Sequence, residues 1–158
     1  MKKNQGFSLV ELIVVIAIMA VLVGVLAPAY LRYVEKSRKS TDVSSVSDIL
    51  AAAEKVAIDP QFDLPANTVF LATGSASLTL SVTAGTDAAS DALAEWKAIA
   101  GDGYSFKSKE FKAGNHSFSG KLLATGAVEW TISSPLTTFS PDFASKWGTS
   151  TTAAGDGE

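Results

Sequence analysis

The chain has 158 residues, 47% of them hydrophobic, with no cysteine, one histidine and a formal net charge of −3; that size allows a membrane stem plus one globular domain of about 100 residues and excludes two enzyme domains. Beyond Lys39 there are 7 basic and 14 acidic residues, so the C-terminal part lacks the basic footprint that nucleic acid requires, and no nucleic-acid partner is expected. Without a disulfide to staple it, this acidic part must be held by its own core and by the stem.

Residues 1–31, MKKNQGFSLVELIVVIAIMAVLVGVLAPAYL, begin with a polar leader, pass a Gly-Phe junction and continue as an apolar run with one acid, Glu11. No residue from Leu12 to Ala29 is charged or carries an amide side chain, which matches the roughly 20 residues a helix needs to cross the hydrocarbon core. About a dozen Leu, Ile, Val and Phe contribute roughly −4 to −7 kcal/mol of insertion energy, against about +2.5 to +3.5 for a carboxylate at the helix centre and less near an end. Insertion therefore wins. A secretory signal would place Lys2 and Lys3 before an apolar core and a small-residue cleavage site. Ala27-Pro28-Ala29 has that outline, but Pro28 at its centre and Glu11 at the start of the core oppose it.

Gly6-Phe7-Ser8-Leu9-Val10-Glu11-Leu12, together with the leader and the apolar run, resembles the processing site of the type IV prepilins. The resemblance covers about the first sixty residues. It implies cleavage after Gly6 by a membrane peptidase on the cytoplasmic side, N-methylation of the new N-terminal Phe7, and pairing of Glu11 with the Phe7 amine of a neighbouring subunit. Such a pair at about 4 Å is worth about 4 kcal/mol at an effective dielectric of about 20. Two other readings of Glu11 stand beside it: pairing with Phe7 of its own chain, four residues away on the same helix face, and a carboxylate that snorkels without a partner. At Gly6 the peptidase cleft must approach the backbone closely, which leaves no space for a Cβ.

Within the run, Pro28 cannot donate to the carbonyl of Gly24, and glycine is about 1 kcal/mol worse than alanine in a helix. Gly24 and Pro28 thus mark a helix weak point, either a tolerated membrane-helix kink or, as the resemblance implies, a place that unwinds on filament assembly. Tyr30 and Tyr33 suit an interfacial aromatic belt. Arg32, Lys36, Arg38 and Lys39 form a basic collar outside the span, suited to headgroup contact at about 1 kcal/mol per residue near an anionic surface, or to pairing with acidic heads of other subunits. Basic residues flank both ends of the run, so charge alone does not orient it; the resemblance places the leader in the cytoplasm.

Beyond the collar, Val43, Val46, Leu50, Ala53 and Ala57 recur at helical spacing, broadened by Ile49 and Val56, with Ser44, Ser45, Ser47, Asp48, Glu54 and Lys55 between them. This is an amphipathic continuation of the helix, ended by Asp59-Pro60. A linker, 61–67, leads to Thr68-Leu71 and to Ser77-Thr83, whose strict alternation predicts a half-buried strand. A helix is expected over 88–100, opened by Thr86, Asp87 or Ser90 and closed by Gly101, with Leu93, Trp96 and Ile99 or Ala100 inward. Tyr104-Phe106 and His116-Phe118 read as short strands, Lys121-Thr125 and Val128-Ile132 as a hairpin about Gly126, and Asp142-Trp147 as a helical turn.

Catalytic constellations are poor. One histidine, no cysteine and no glycine-rich loop before a helix give no basis for a Cys/His nucleophile, a zinc site or a phosphate loop, so no enzyme, cofactor or metal is read. His116 is a strand or turn residue, Asn115-His116-Ser117 is formally a glycosylation sequon, and Asp142, Asp156 and Glu158 do not have the spacing of an EF-hand.

The expected fold is α+β, a long N-terminal helix packed on an antiparallel head. Its parts are a leader (1–6), a membrane and filament-core helix (7–31), an amphipathic half (32–59), a globular head (60–147) and a flexible tail (148–158). The resemblance implies a structural subunit of a type IV pilus, serving adhesion, motility or DNA uptake, held in the inner or cytoplasmic membrane before assembly and on the cell surface afterwards. Its implied partners are related pilin subunits in a homopolymer, a prepilin peptidase and methyltransferase, an assembly platform with its motor ATPase, and membrane lipid before assembly. A pseudopilin of a type II secretion or competence system shares the same N-terminus. A monomeric membrane-anchored binding domain is the alternative of another class, and it gives no use to Glu11.

Overall fold

The computed structural model describes residues 8–148. One helix, α1 (Leu9–Ala57, 49 residues), is continuous through Gly24 and Pro28, and the chain forms two compact units that divide between Ser37 and Arg38.

In the first unit every described residue up to Tyr33 is exposed. Its 18-residue apolar window has a mean hydropathy of 3.1 and none of it is buried within the chain. A helix apolar on all sides finds no buried face of its own and is suited to a surrounding apolar medium.

The second unit is α+β. After the last part of α1 come β1 (Val69–Gly74), β2 (Ser77–Thr83), α2 (Ala88–Ala100), β3 (Tyr104–Ser105), α3 (Lys109–Ala113), β4 (His116–Leu122), β5 (Val128–Ser133), α4 (Leu136–Phe139) and α5 (Pro141–Trp147). The strands form one antiparallel sheet in the order β3-β2-β1-β4-β5. Period-two alternation divides its faces. Phe70, Ala72, Leu78, Leu80, Phe118, Leu122, Trp130 and Ile132 enter a core shared with Val46, Ile49, Leu50, Ala53, Val56 and Ala57 of α1. Thr79, Thr131 and Ser133 face outward. The α1 stripe expected from helical spacing is thus the buried one, with Val43 at its margin.

α2 is tied to α1 by the Trp96 indole N–H, which donates to the Ile49 carbonyl at 2.9 Å, and to β1 by an edge-to-face contact of Trp96 with Phe70 at 5.6 Å. The β1–β2 turn needs glycine: at Gly74 (φ 155°) a Cβ would lie 1.8 Å from the Ser77 carbonyl oxygen.

Several local expectations change. Of the two alternatives at the end of α2, Ala100 packs against the core, as Leu93 does, while Ile99 is 48% exposed; Ala92 is a further inward position beside Trp96, because only one side of α2 meets the core. The two runs around 116–118 and 121–125 are a single strand, β4, which passes through Gly120 and ends at Leu122. The 61–67 stretch is more than a linker: Phe62 is buried, and the Asn67 N–H donates to the Leu122 carbonyl at 2.7 Å. The short helices α3 and α4 have no counterpart in the sequence reading. α3 starts where the Ser108 hydroxyl accepts the Phe111 N–H at 3.4 Å, and α5 where Ser140 accepts the Phe143 N–H at 3.3 Å with Pro141 in the first turn, both ordinary N-cap chemistry.

Candidate functional site

The candidate site is the N-terminal end of α1. Gly6 and Phe7 lie outside the described residues, as do residues 149–158 of the tail. The first described contact is internal to the helix end: the Ser8 backbone N–H donates to Glu11 Oε2 at 2.9 Å, while the Leu12 N–H donates to the Ser8 carbonyl at 3.3 Å. This is the side-chain half of a capping box, in which a glutamate three residues into the helix reaches back to satisfy a donor that has no intrahelical partner. A negative charge in the first turn also faces the positive end of the helix dipole. Sequence reasoning missed this role, although Ser8-Leu9-Val10-Glu11 carries the S-x-x-E signature. Glu11 is exposed.

At the weak point α1 remains helical, and a Cβ built on Gly24 would meet nothing within 4 Å. No packing inside the chain therefore requires glycine there. Tyr30 and Tyr33 are 66% and 72% exposed, and Arg32, Lys36 and Arg38 are exposed.

Lys39 behaves differently from the rest of the collar. Its side chain is 16% exposed and forms an ion pair with Glu110, and its ammonium sits 5.8 Å from the Phe111 ring centroid and 5.4 Å from that of Phe139. Burial of the stem along aromatic faces is a packing role as much as a charged one.

Two titratable groups, His116 and Tyr104, are held within the packing of the head. His116 is 3% exposed. Its Nε2 lies 2.8 Å from the Phe111 carbonyl and its Nδ1 2.7 Å from the Ser134 hydroxyl, and it stacks on Phe106 at 4.1 Å. The Nε2–H tautomer fits, since a carbonyl can only accept. Burial pushes the His116 pKa below the usual value. Burial, helped by the Asp42 carboxylate, pushes the Tyr104 phenol up to about 12, although a hydrogen bond with Ser45 works against it. Asp142 is exposed on α5, and Asp156 and Glu158 lie outside the described residues.

The helix that follows the Gly-Phe junction is long and apolar enough to cross a membrane and carries one acid in its first turn. Residues 1–27 match the family model for the prokaryotic N-terminal methylation motif. A fimbrial protein of Pseudomonas aeruginosa is 36% identical over 59 residues, which are 37% of this chain and 38% of that protein. Fimbrial protein Q of Moraxella bovis is 39% identical over 59 residues, 37% of this chain and 34% of that relative. The chain thus spans under two fifths of the length of the curated relatives it matches. No solved structure matches it. The motif and the fimbrial relatives support a type IV prepilin.

Proposed function

We propose that the chain is a structural, non-enzymatic subunit of a type IV pilus. It is cleaved after Gly6, methylated at Phe7, held in the cytoplasmic membrane by the first part of α1, and then polymerised through that helix into a surface filament. The observation that carries this reading is the coincidence of the methylation-motif match over residues 1–27 with a helix apolar on all sides that contains Glu11 near its start. Hydrocarbon accommodates the run in the waiting subunit, and neighbouring apolar helices replace it in the filament. A charge in such surroundings needs a partner, and the Phe7 amine of a neighbouring copy supplies one to Glu11. A prepilin peptidase and methyltransferase, an assembly platform and its motor ATPase are the partners this route requires. In the 1–6, 7–31, 32–59, 60–147 and 148–158 scheme, processing belongs to the first part, assembly to the second and surface properties to the head.

The test combines N-terminal analysis of the mature protein with microscopy of sheared cell-surface filaments. A methylated Phe7 terminus and long filaments that contain the chain are expected. A chain that keeps Met1, or one cut near Ala29, overturns the reading, and short periplasm-spanning assemblies point to a pseudopilin. Glu11→Ala is expected to leave cleavage intact and to lower filament incorporation by about tenfold or more, the scale of a charge pair of several kcal/mol at low dielectric. Normal piliation in that variant removes Glu11 from assembly and leaves it as a helix cap.

A further inference from the structure

Asp42 is a carboxylate with no exposed surface, on the α1 face that meets the head. It accepts hydrogen bonds from the Tyr104 hydroxyl at 2.7 Å, the Lys107 N–H at 2.9 Å and the Ser108 N–H at 2.8 Å. None of these donors is charged, so the anion is held by oriented dipoles, and each donor comes from one short segment. Three residues earlier on α1, Lys39 holds Glu110 of the same segment and lies over Phe111.

The segment has little else in the way of backbone pairing. β3 contributes only two register pairs to β2, whereas β1 makes six with each of its neighbours. One more bond, from the Phe106 N–H to the Ala76 carbonyl at 3.1 Å, continues that edge. Gly101 (φ 90°) and Gly103 (φ 133°) stand before the segment, in backbone conformations that side chains resist, and Gly114 closes it. Its apolar anchors are Phe106 and Phe111, both essentially buried. His116 of β4 grips its far end through the Phe111 carbonyl.

We propose that Tyr104–Ala113 is a releasable strap latched to α1 by Asp42, which opens as a unit while the β2-β1-β4-β5 sheet stays folded. Opening uncovers the Asp42 face of α1 and the bed of Phe106 and Phe111, a surface the closed head does not present. The assignment rests on the head alone and stands whether or not the chain polymerises.

The test is hydrogen exchange on the full-length protein in detergent micelles. The informative amides are those bonded away from Asp42: Phe106 to Ala76, Lys112 to Ser108 and Gly114 to Phe111. In the wild type these exchange faster than the Phe70, Leu71 and Phe118 amides, which lie in the interior ladders of the sheet. Asp42→Asn keeps the shape but presents an amide donor to donors, and it is expected to speed exchange of the strap amides by about tenfold or more while the sheet amides change by less than about threefold. Tyr104→Phe removes one donor and keeps the ring; about a threefold to tenfold rise in the same amides is expected. Should Asp42→Asn fail to fold, Tyr104→Phe and the wild-type pattern decide. Strap amides that exchange only together with the sheet, or that do not respond to either variant, overturn the proposal.

Discussion

Within one helix, α1, the first part and the last part solve the burial problem in opposite ways. From Leu9 to Tyr33 the apolar side chains lie open on all sides, so nothing within the chain rewards their hydrophobicity. From Asp42 to Ala57 a single stripe, Val46, Leu50, Ala53 and Val56, is essentially inaccessible to solvent and shares a core with the sheet. The same backbone ladder therefore serves two media. Stability in the second part comes from intramolecular packing, whereas the first part has no buried face within the chain and in the proposed function draws its stabilisation from an apolar medium outside it.

That contrast breaks most sharply under truncation. Phe118→Ala, at a position with no exposed surface, is expected to cost the head about 3–5 kcal/mol, whereas Leu22→Ala, 56% exposed, leaves head stability within about 0.5 kcal/mol. Denaturant unfolding in detergent, followed by tryptophan fluorescence of the head, reads both. Comparable losses from the two variants would dissolve the distinction between the parts.

A smaller effect tests how tightly the sheet side is packed. A Cβ on Gly120 would lie 2.8 Å from two Trp130 ring carbons and from Val128 Cγ1, and Trp130 is further tied by its indole N–H to Glu54 of α1 at 3.1 Å. Gly120→Ala is therefore expected to cost about 1–3 kcal/mol in the same unfolding measurement. Gly24→Ala, which meets open space, provides the unpacked control and should leave head stability unchanged.

The smallest effect is that of pH. Because burial lowers the His116 pKa in the folded head, the unfolded chain binds more protons below about pH 6.5, the ordinary histidine value. Stability is full above that pH and is lost as pH falls through 6.5 toward the folded value. His116→Asn should flatten this part of the pH profile between about pH 7.5 and 5. A variant whose profile follows that of the wild type would assign the slope to other groups.

Much of the architecture was legible because it is local. The 77–83 alternation and the 88–100 helix match the observed β2 and α2 bounds, since period and glycine punctuation are short-range signals. The candidate site was legible for a related reason: Gly6, Phe7 and Glu11 form a linear motif next to an uninterrupted apolar run. Its internal cap was also written in the chain, as Ser8-x-x-Glu11, but the carboxylate drew a long-range reading first. The choice between Ile99 and Ala100, which falls to Ala100, shows the limit of periodicity, which marks an apolar face without saying how far the neighbouring core extends along it. α3 and α4 escaped for a different reason, being too short to carry a period and starting from serine caps or tertiary contacts.

By itself the sequence determined the length and polarity of the span, the break at Asp59-Pro60 and the elements whose repeat lies within a few residues, because the preference for burying apolar surface acts on every turn or every second residue. Only the tertiary structure decided that Asp42 is an interior anion, that Lys39 leaves the collar for Glu110 and two phenylalanine rings, and that His116 is a buried link between α3 and the loop before α4. Each of these depends on at least one partner 18 or more residues away along the chain. A polar residue's environment is set by which donors the fold brings to it, and no local pattern encodes that meeting.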